Sequence, residues 1–173
     1  IEKKLKLKVN KDKSKVDKGY RRNFLGYGFT SEKRTRLRVP KESLTRLRKR
    51  VKGECKRGRG KNLKRFIAEI LNPMLRGWAN YYKKSETITF AKELDIWIRR
   101  RLRVIIWRQW KRPRTRFKFI RKAGFSRAKA AMSAYNNRGC WWNSGHNFVV
   151  LTLNNRLFAS MGLVSIESVI VTR

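Results

Sequence analysis

From Ile96 to Ile166 the chain carries no Asp or Glu. In that stretch stand Arg99, Arg100, Arg101, Arg103, Arg108, Lys111, Arg112, Arg114, Arg116, Lys118, Arg121, Lys122, Arg127, Lys129, Arg138 and Arg156. Arginine predominates, and its planar fork suits bidentate phosphate contacts and stacking. Trp107, Trp110, Trp141 and Trp142 lie among these cations. Indoles beside guanidiniums are suited to stack on unpaired bases. A solvated basic face with tryptophans in the core competes as an explanation for any single residue. It is poor for the whole stretch, because without acids these cations have no ion-pair partners within it.

A second constellation is Arg76-Gly77-Trp78-Ala79-Asn80-Tyr81-Tyr82, followed by Lys83. Gly77 lets a backbone or ligand approach. Trp78 and Tyr82, four apart, share one helix face. Arg76, Asn80 and Tyr81 offer hydrogen-bonding groups on others. For Trp78 itself a place in an aromatic core stripe is the leading reading.

Catalytic patterns do not emerge. The acids are Glu2, Asp12, Asp17, Glu32, Glu42, Glu54, Glu69, Glu86, Glu93, Asp95 and Glu167. No pair of them sits in the apolar strand-turn setting that holds Mg²⁺ for polymerase or nuclease chemistry. Glu93 and Asp95 are expected to face different sides of a helix and to pair with nearby Arg or Lys. There is no GK[ST] phosphate cradle, and His146 stands alone in a loop. Cys55 and Cys140 make neither a zinc site nor a disulfide framework. No catalytic residue and no metal ligand is assigned.

Composition agrees with a polyanion partner. The 173 residues carry 47 Lys plus Arg against 11 Asp plus Glu, a net charge of +36. Nucleic acid or an anionic membrane surface is the leading explanation. Mutual repulsion predicts marginal stability without an anion. No run of roughly 18 apolar residues exists to span a membrane, and the first residues lack a signal-peptide centre. A reduced, cytoplasmic setting is expected. The absent initiator Met suggests a fragment.

These residues need elements to position them. Leu5, Leu7 and Val9 alternate with lysines, as in a half-buried strand, although a helix end fits too. Phe24–Phe29 and Lys33–Val39 predict short strands. Ser43 is expected to cap a helix that Gly53 ends, with Leu44, Leu47 and Val51 inward. A second helix is predicted over Asn62–Tyr82, kinked or split at Pro73, and a third over Thr89–Arg112. Beyond them Ser126–Tyr135 reads as helix, Asn136–Gly145 as loop, Phe148–Leu153 as β-like, and Asn154–Met161 as helix capped by Gly162.

The sequence resembles the C-terminal half of bacterial group II intron reverse transcriptase/maturases. Leu5–Val16, LKLKVNKDKSKV, looks like the end of the palm, and Phe24–Phe29, FLGYGF, like the next palm motif. Asn62–Tyr82, ending RGWANYY, looks like the maturase-specific thumb, or domain X. Asp95–Arg116, DIWIRRRLRVIIWRQWKRPRTR, matches the thumb-to-tail helix. Trp141–Ser165, ending NNRLFASMGLVS, resembles the C-terminal tail. No Tyr-Ala-Asp-Asp strand occurs; the resemblance places it, with its Mg²⁺ ions, in an upstream palm. It also implies that Lys13 sits near the incoming nucleotide and Phe24, Leu25 and Gly26 near a primer end.

The fold expected is mainly α: a palm remnant with short strands over 1–39, a three-helix thumb bundle over 40–112, and a basic, mostly helical tail over 113–173. The function expected is RNA binding that assists intron folding and splicing. The alternative is a fragment of a full RNA-directed DNA polymerase, with a cationic membrane-surface or ribosomal-type protein ranked below. Contacts to RNA are expected from Arg76, Trp78, Asn80, Tyr81, Lys83, Arg99, Arg100, Arg101, Arg103, Arg108, Lys111, Arg112, Arg114 and Arg116. Group II intron RNA is the expected partner and target DNA a further one, with no membrane, no small-molecule substrate and no cofactor in this chain.

Overall fold

The computed structural model describes residues 17–86 and 88–171. The expected strand around Leu5–Val9 and the position of Lys13 lie outside them. The chain is mainly α, with a two-stranded antiparallel sheet near its start: β1 (Gly28–Phe29) pairs with β2 (Leu37–Arg38), Gly28 opposite Arg38. The strands are shorter than the alternation suggests. Most of the Phe24–Phe29 run is a tight turn, where Phe24 and Tyr27 exchange backbone hydrogen bonds of 2.8 and 2.9 Å. Leu25 and Gly26 at its tip have φ of 47° and 74°, the left-handed pair that a two-residue hairpin turn requires.

Helix α1 (Lys41–Arg57) starts from Pro40, whose ring has no polar group to cap it. Ser43 is not its cap. It lies inside the first turn, buried, with Oγ 2.6 Å from the Tyr82 hydroxyl. Gly53 does not end the helix either. The stripe Leu47, Val51 and Cys55 continues past it and is buried, which outweighs the roughly 1 kcal/mol that a helical glycine costs.

The second helical run begins at Asn62, whose side chain accepts from the Arg65 N–H. It comprises α2 (Leu63–Phe66), a π-helical segment (Ile67–Leu71) and α3 (Asn72–Tyr81). The π segment is the form taken by the expected irregularity at Pro73. Proline removes one helical N–H, and the wider turn lets Asn72 N–H bond Ile67 O instead. It also leaves the Asn72 side chain buried.

Helix α4 (Thr89–Gln109) stops short of Arg112. Then follow α5 (Pro113–Lys122), α6 (Arg127–Ala134), α7 (Cys140–Asn143), α8 (Asn147–Thr152), α9 (Asn155–Ser160) and α10 (Ile166–Val171). Ser126 caps α6 as its sequence predicts, and Gly162, at φ 83°, follows α9. Two expectations fail here. The loop over 136–145 contains α7. The β-branched run Phe148–Leu151 is helical, because α8 buries Val149 and places Leu153 one turn on; tertiary burial overrides β-propensity.

One core unites the bundle and the tail. Leu47, Val51, Phe66, Leu75, Leu94 and Leu102 share it with Ile120, Val149, Phe158, Ile166 and Ile170. Each such side chain contributes about 1.5–3 kcal/mol on burial. Surface ion pairs such as Arg65–Glu69 at 2.7 Å contribute about 0–1 kcal/mol each. The core therefore opposes the charge repulsion. Two polar ties dock the tail. Asn72 Nδ2 donates to Gly162 O at 2.7 Å, and its Oδ1 accepts from Val164 N–H at 3.0 Å. Asp95 does not take the cationic partner expected of it. Its carboxylate is buried on α4 and accepts from Ser165 Oγ at 2.5 Å, Ile166 N–H at 2.9 Å and Glu167 N–H at 3.3 Å, where the positive end of α10 favours an anion.

Candidate nucleic-acid interface

The basic residues of α4 sort into inward and outward groups. Arg103 is turned inward and is 5% exposed. Its Nε donates to Ser144 O at 3.0 Å and its Nη1 to Leu153 O at 3.3 Å. Burial pushes its pKa down to about 10, and Arg99 and Arg100 add to the effect. Arg103 thus holds the tail in place and is not presented to a ligand. Arg99, Arg100 and Arg101 are half-buried.

Arg100 and Arg101 meet the tail at α7. The Arg100 guanidinium lies 4.1 Å from the centre of the Trp141 ring, and Arg101 lies 4.4 Å from it. Arg101 also lies 5.0 Å from Trp97. Arg100 Nη2 donates to Trp141 O at 3.1 Å. Gly145 permits this approach, since a Cβ there would stand 2.9 Å from Arg100 Nη2. Arg138 lies 4.2 Å from the centre of Trp142. Both indoles remain 40% exposed, so each combines a cation with an open ring surface. Guanidinium–indole contacts of this kind contribute about 0.5–2 kcal/mol and fix the ring before any ligand arrives.

Side-chain hydrogen bonds tie down α7, which carries these rings. Asn136 and Asn143 exchange side-chain amide hydrogen bonds of 2.9 and 3.1 Å. Asn143 Nδ2 also reaches Arg138 O at 2.8 Å. The Asn143 amide is buried and so satisfied, which favours this arrangement over alternatives.

Farther along, Arg116 is half-buried, its Nε donating to Trp110 O at 2.9 Å and its guanidinium over Trp107. Trp107 is fully buried, and Trp110 stacks on Phe119 at 4.5 Å. These two tryptophans are core and platform, as the competing explanation holds. Arg108, Lys111, Arg112 and Arg114 are exposed.

The RGWANYY helix and the FLGY hairpin form a second cluster. Tyr81 Oη donates to Leu25 O at 2.6 Å, Tyr82 Oη to Gly26 O at 3.2 Å, and Tyr27 Oη to Tyr81 O. Trp78 is half-buried against Tyr82 at 4.6 Å and Phe90 at 6.0 Å. Gly26 is required twice, by its positive φ and because a Cβ would stand 2.8 Å from Tyr81 Oη. Phe24 and Leu25 stay 66% and 74% exposed at the tip. Arg76, Asn80 and Lys83 are exposed. Between α1 and α3 opens a cleft of about 900 Å³ whose lining includes Arg46, Arg50, Met74, Gly77 and Trp78.

The structure thus brings together Arg100, Arg101, Trp141 and Trp142 at one corner, and Trp78 and Tyr81 with Leu25 and Gly26 at another. The RNA contacts expected from the sequence omit Arg138, Trp141 and Trp142, although the acid-free stretch contains all three, and leave out Arg46, Arg50 and Gly145. The i, i+4 spacing of Arg46 and Arg50 was a usable signal. The roles of Arg138 and Gly145 depend on contacts across the fold. Among the described residues no group of three or more His, Cys, Asp or Glu could hold a metal ion, and no helix is long and apolar enough to cross a membrane.

Fold and site together define a small, strongly basic helical protein with arginine–tryptophan surfaces. Residues 44–124, from the first turn of α1 to just past the end of α5, match the family model of the group II intron, maturase-specific domain. The resemblance carried by RGWANYY and the α4 residues agrees with that assignment. No curated protein matches the chain.

Proposed function

We propose that the chain is the RNA-gripping part of a group II intron maturase, which binds intron RNA and helps it to fold and splice. The observation that supports this best is the corner where Arg100, Arg101 and Arg138 lie on the half-exposed rings of Trp141 and Trp142, in a chain of net charge +36 whose residues 44–124 match the maturase-specific domain. Guanidiniums there take phosphates while the open indole surfaces stack on splayed bases. The exposed cations Arg76, Lys83, Arg108, Lys111, Arg112 and Arg114 extend the phosphate contacts, and holding the ribozyme's folded form promotes splicing. Target DNA would be gripped by the same backbone contacts.

The test is a binding titration of a group II intron RNA over a range of salt. If 6–10 cations meet phosphates, affinity falls by roughly 10³–10⁵ between 50 and 200 mM salt. Replacing Trp141 and Trp142 by alanine weakens binding by about 1–3 kcal/mol per stacked base with the salt slope unchanged. Binding that ignores salt would sink the proposal.

A further inference from the structure

Lys52 and Lys56 stand one turn apart on α1, Arg59 on the loop after it, and Arg101 on α4. They line one small pocket of about 80 Å³, with Cys55 beside them and no acid in the lining. It is far smaller than the cleft of about 900 Å³ between α1 and α3. Like charges one helical turn apart repel, so the cluster favours an anion.

The pocket is built in advance. Gln109 Nε2 donates to Arg59 O at 3.1 Å and to Lys61 O at 3.0 Å, which pins the loop to α4. Gly58 lets that loop lie on Phe66, since a Cβ there would stand 2.7 Å from the ring. Arg101 is held against Trp97 and Trp141. Its Nε is buried with no hydrogen-bond partner among the described residues, a cationic donor left unsatisfied. Burial keeps the Cys55 thiol protonated, pushing its pKa up to about 11, so it adds no negative charge. Glu54, the nearest acid in sequence, is engaged by Arg57 at 2.9 Å.

We propose that Lys52, Lys56, Arg59 and Arg101 form a preformed site for a single phosphate group. It deepens the RNA-binding reading and rests on it for the source of that phosphate, a backbone phosphodiester; free phosphate has the same chemistry. The test is ¹⁵N NMR of arginine side chains in the full chain, with the Arg101 Nε–H resonance identified by Arg101→Lys. Intron RNA and inorganic phosphate are titrated separately. The expected result is that RNA moves the Arg101 resonance, and that Lys56→Ala with Arg59→Ala abolishes the movement while the circular dichroism is retained. The same double variant lowers the salt slope of RNA binding by roughly one, the single phosphate lost.

Movement with inorganic phosphate alone, while RNA binds without effect, supports the site and assigns it to free phosphate. No movement with either probe overturns the site even where RNA binds tightly. RNA that fails to bind, while inorganic phosphate still moves Arg101, overturns the RNA reading and supports the phosphate site.

Discussion

Arg103 and Cys55 show how little a residue's type says about its role. Arg103 sits in a run of four arginines within five positions, yet it faces the core and satisfies backbone carbonyls. Cys55 is buried on the α1 stripe. An unfolded thiol titrates near 9.0 and Cys55 near 11 in the fold. Between those values the unfolded chain has lost a proton that the folded chain keeps. The stability it contributes is therefore full below about pH 9 and lost as pH rises toward 11. Arg103, lowered to about 10, acts in the opposite sense above pH 10, where the folded chain is first to lose a proton. The Cys55 effect is thus read between pH 9 and 10: melts there should show stability falling with pH, and Cys55→Ala should flatten the fall. At pH 8 native chain exposed to an alkylating reagent should take one adduct quickly, at half-buried Cys140, and a second only on denaturation. Two rapid adducts would contradict the burial of Cys55.

Helix α10 has six residues and little intrinsic stability. It holds because Ile166 and Ile170 enter the core and Asp95 receives its N-terminus. Asp95→Ala removes a buried carboxylate that accepts bonds from two backbone N–H groups and a hydroxyl. A loss of about 2–3 kcal/mol is expected in chemical denaturation, with early hydrogen exchange at 166–171. Unchanged exchange there would mean that apolar packing alone docks the helix. The FLGY hairpin and the RGWANYY helix illustrate the same principle. Each is visible as a motif, but the tyrosine bonds that clamp them together span more than fifty positions. Local periodicity carries no information about such a pairing.

For the whole molecule the dominant fact is a charge of +36 opposed by a single core. Exposed charges separated by more than a Debye length, about 10 Å at 0.1 M salt, are largely screened. Raising salt from about 20 to 500 mM should therefore raise the melting temperature of the RNA-free chain by several degrees, even as it weakens RNA binding. Calorimetry at both salts checks this; a melting temperature that falls with salt would show that ion pairs outweigh repulsion.

By itself the sequence determined the helical class, the positions of the main helices, the cationic bias and the maturase resemblance. All of these are written in nearest-neighbour periodicity, composition and contiguous motifs. Only the tertiary structure decided that Gly53 lies within a helix, that Phe148–Leu151 is helical, and that Asp95 holds a helix terminus instead of a cation. It also decided that Trp107 is core while Trp141 and Trp142 keep open ring surfaces beneath arginines. The reason is physical. Burial and hydrogen-bond partners arise between residues that lie 41 to 92 positions apart, and at those sites they outweigh local propensities of about 1 kcal/mol.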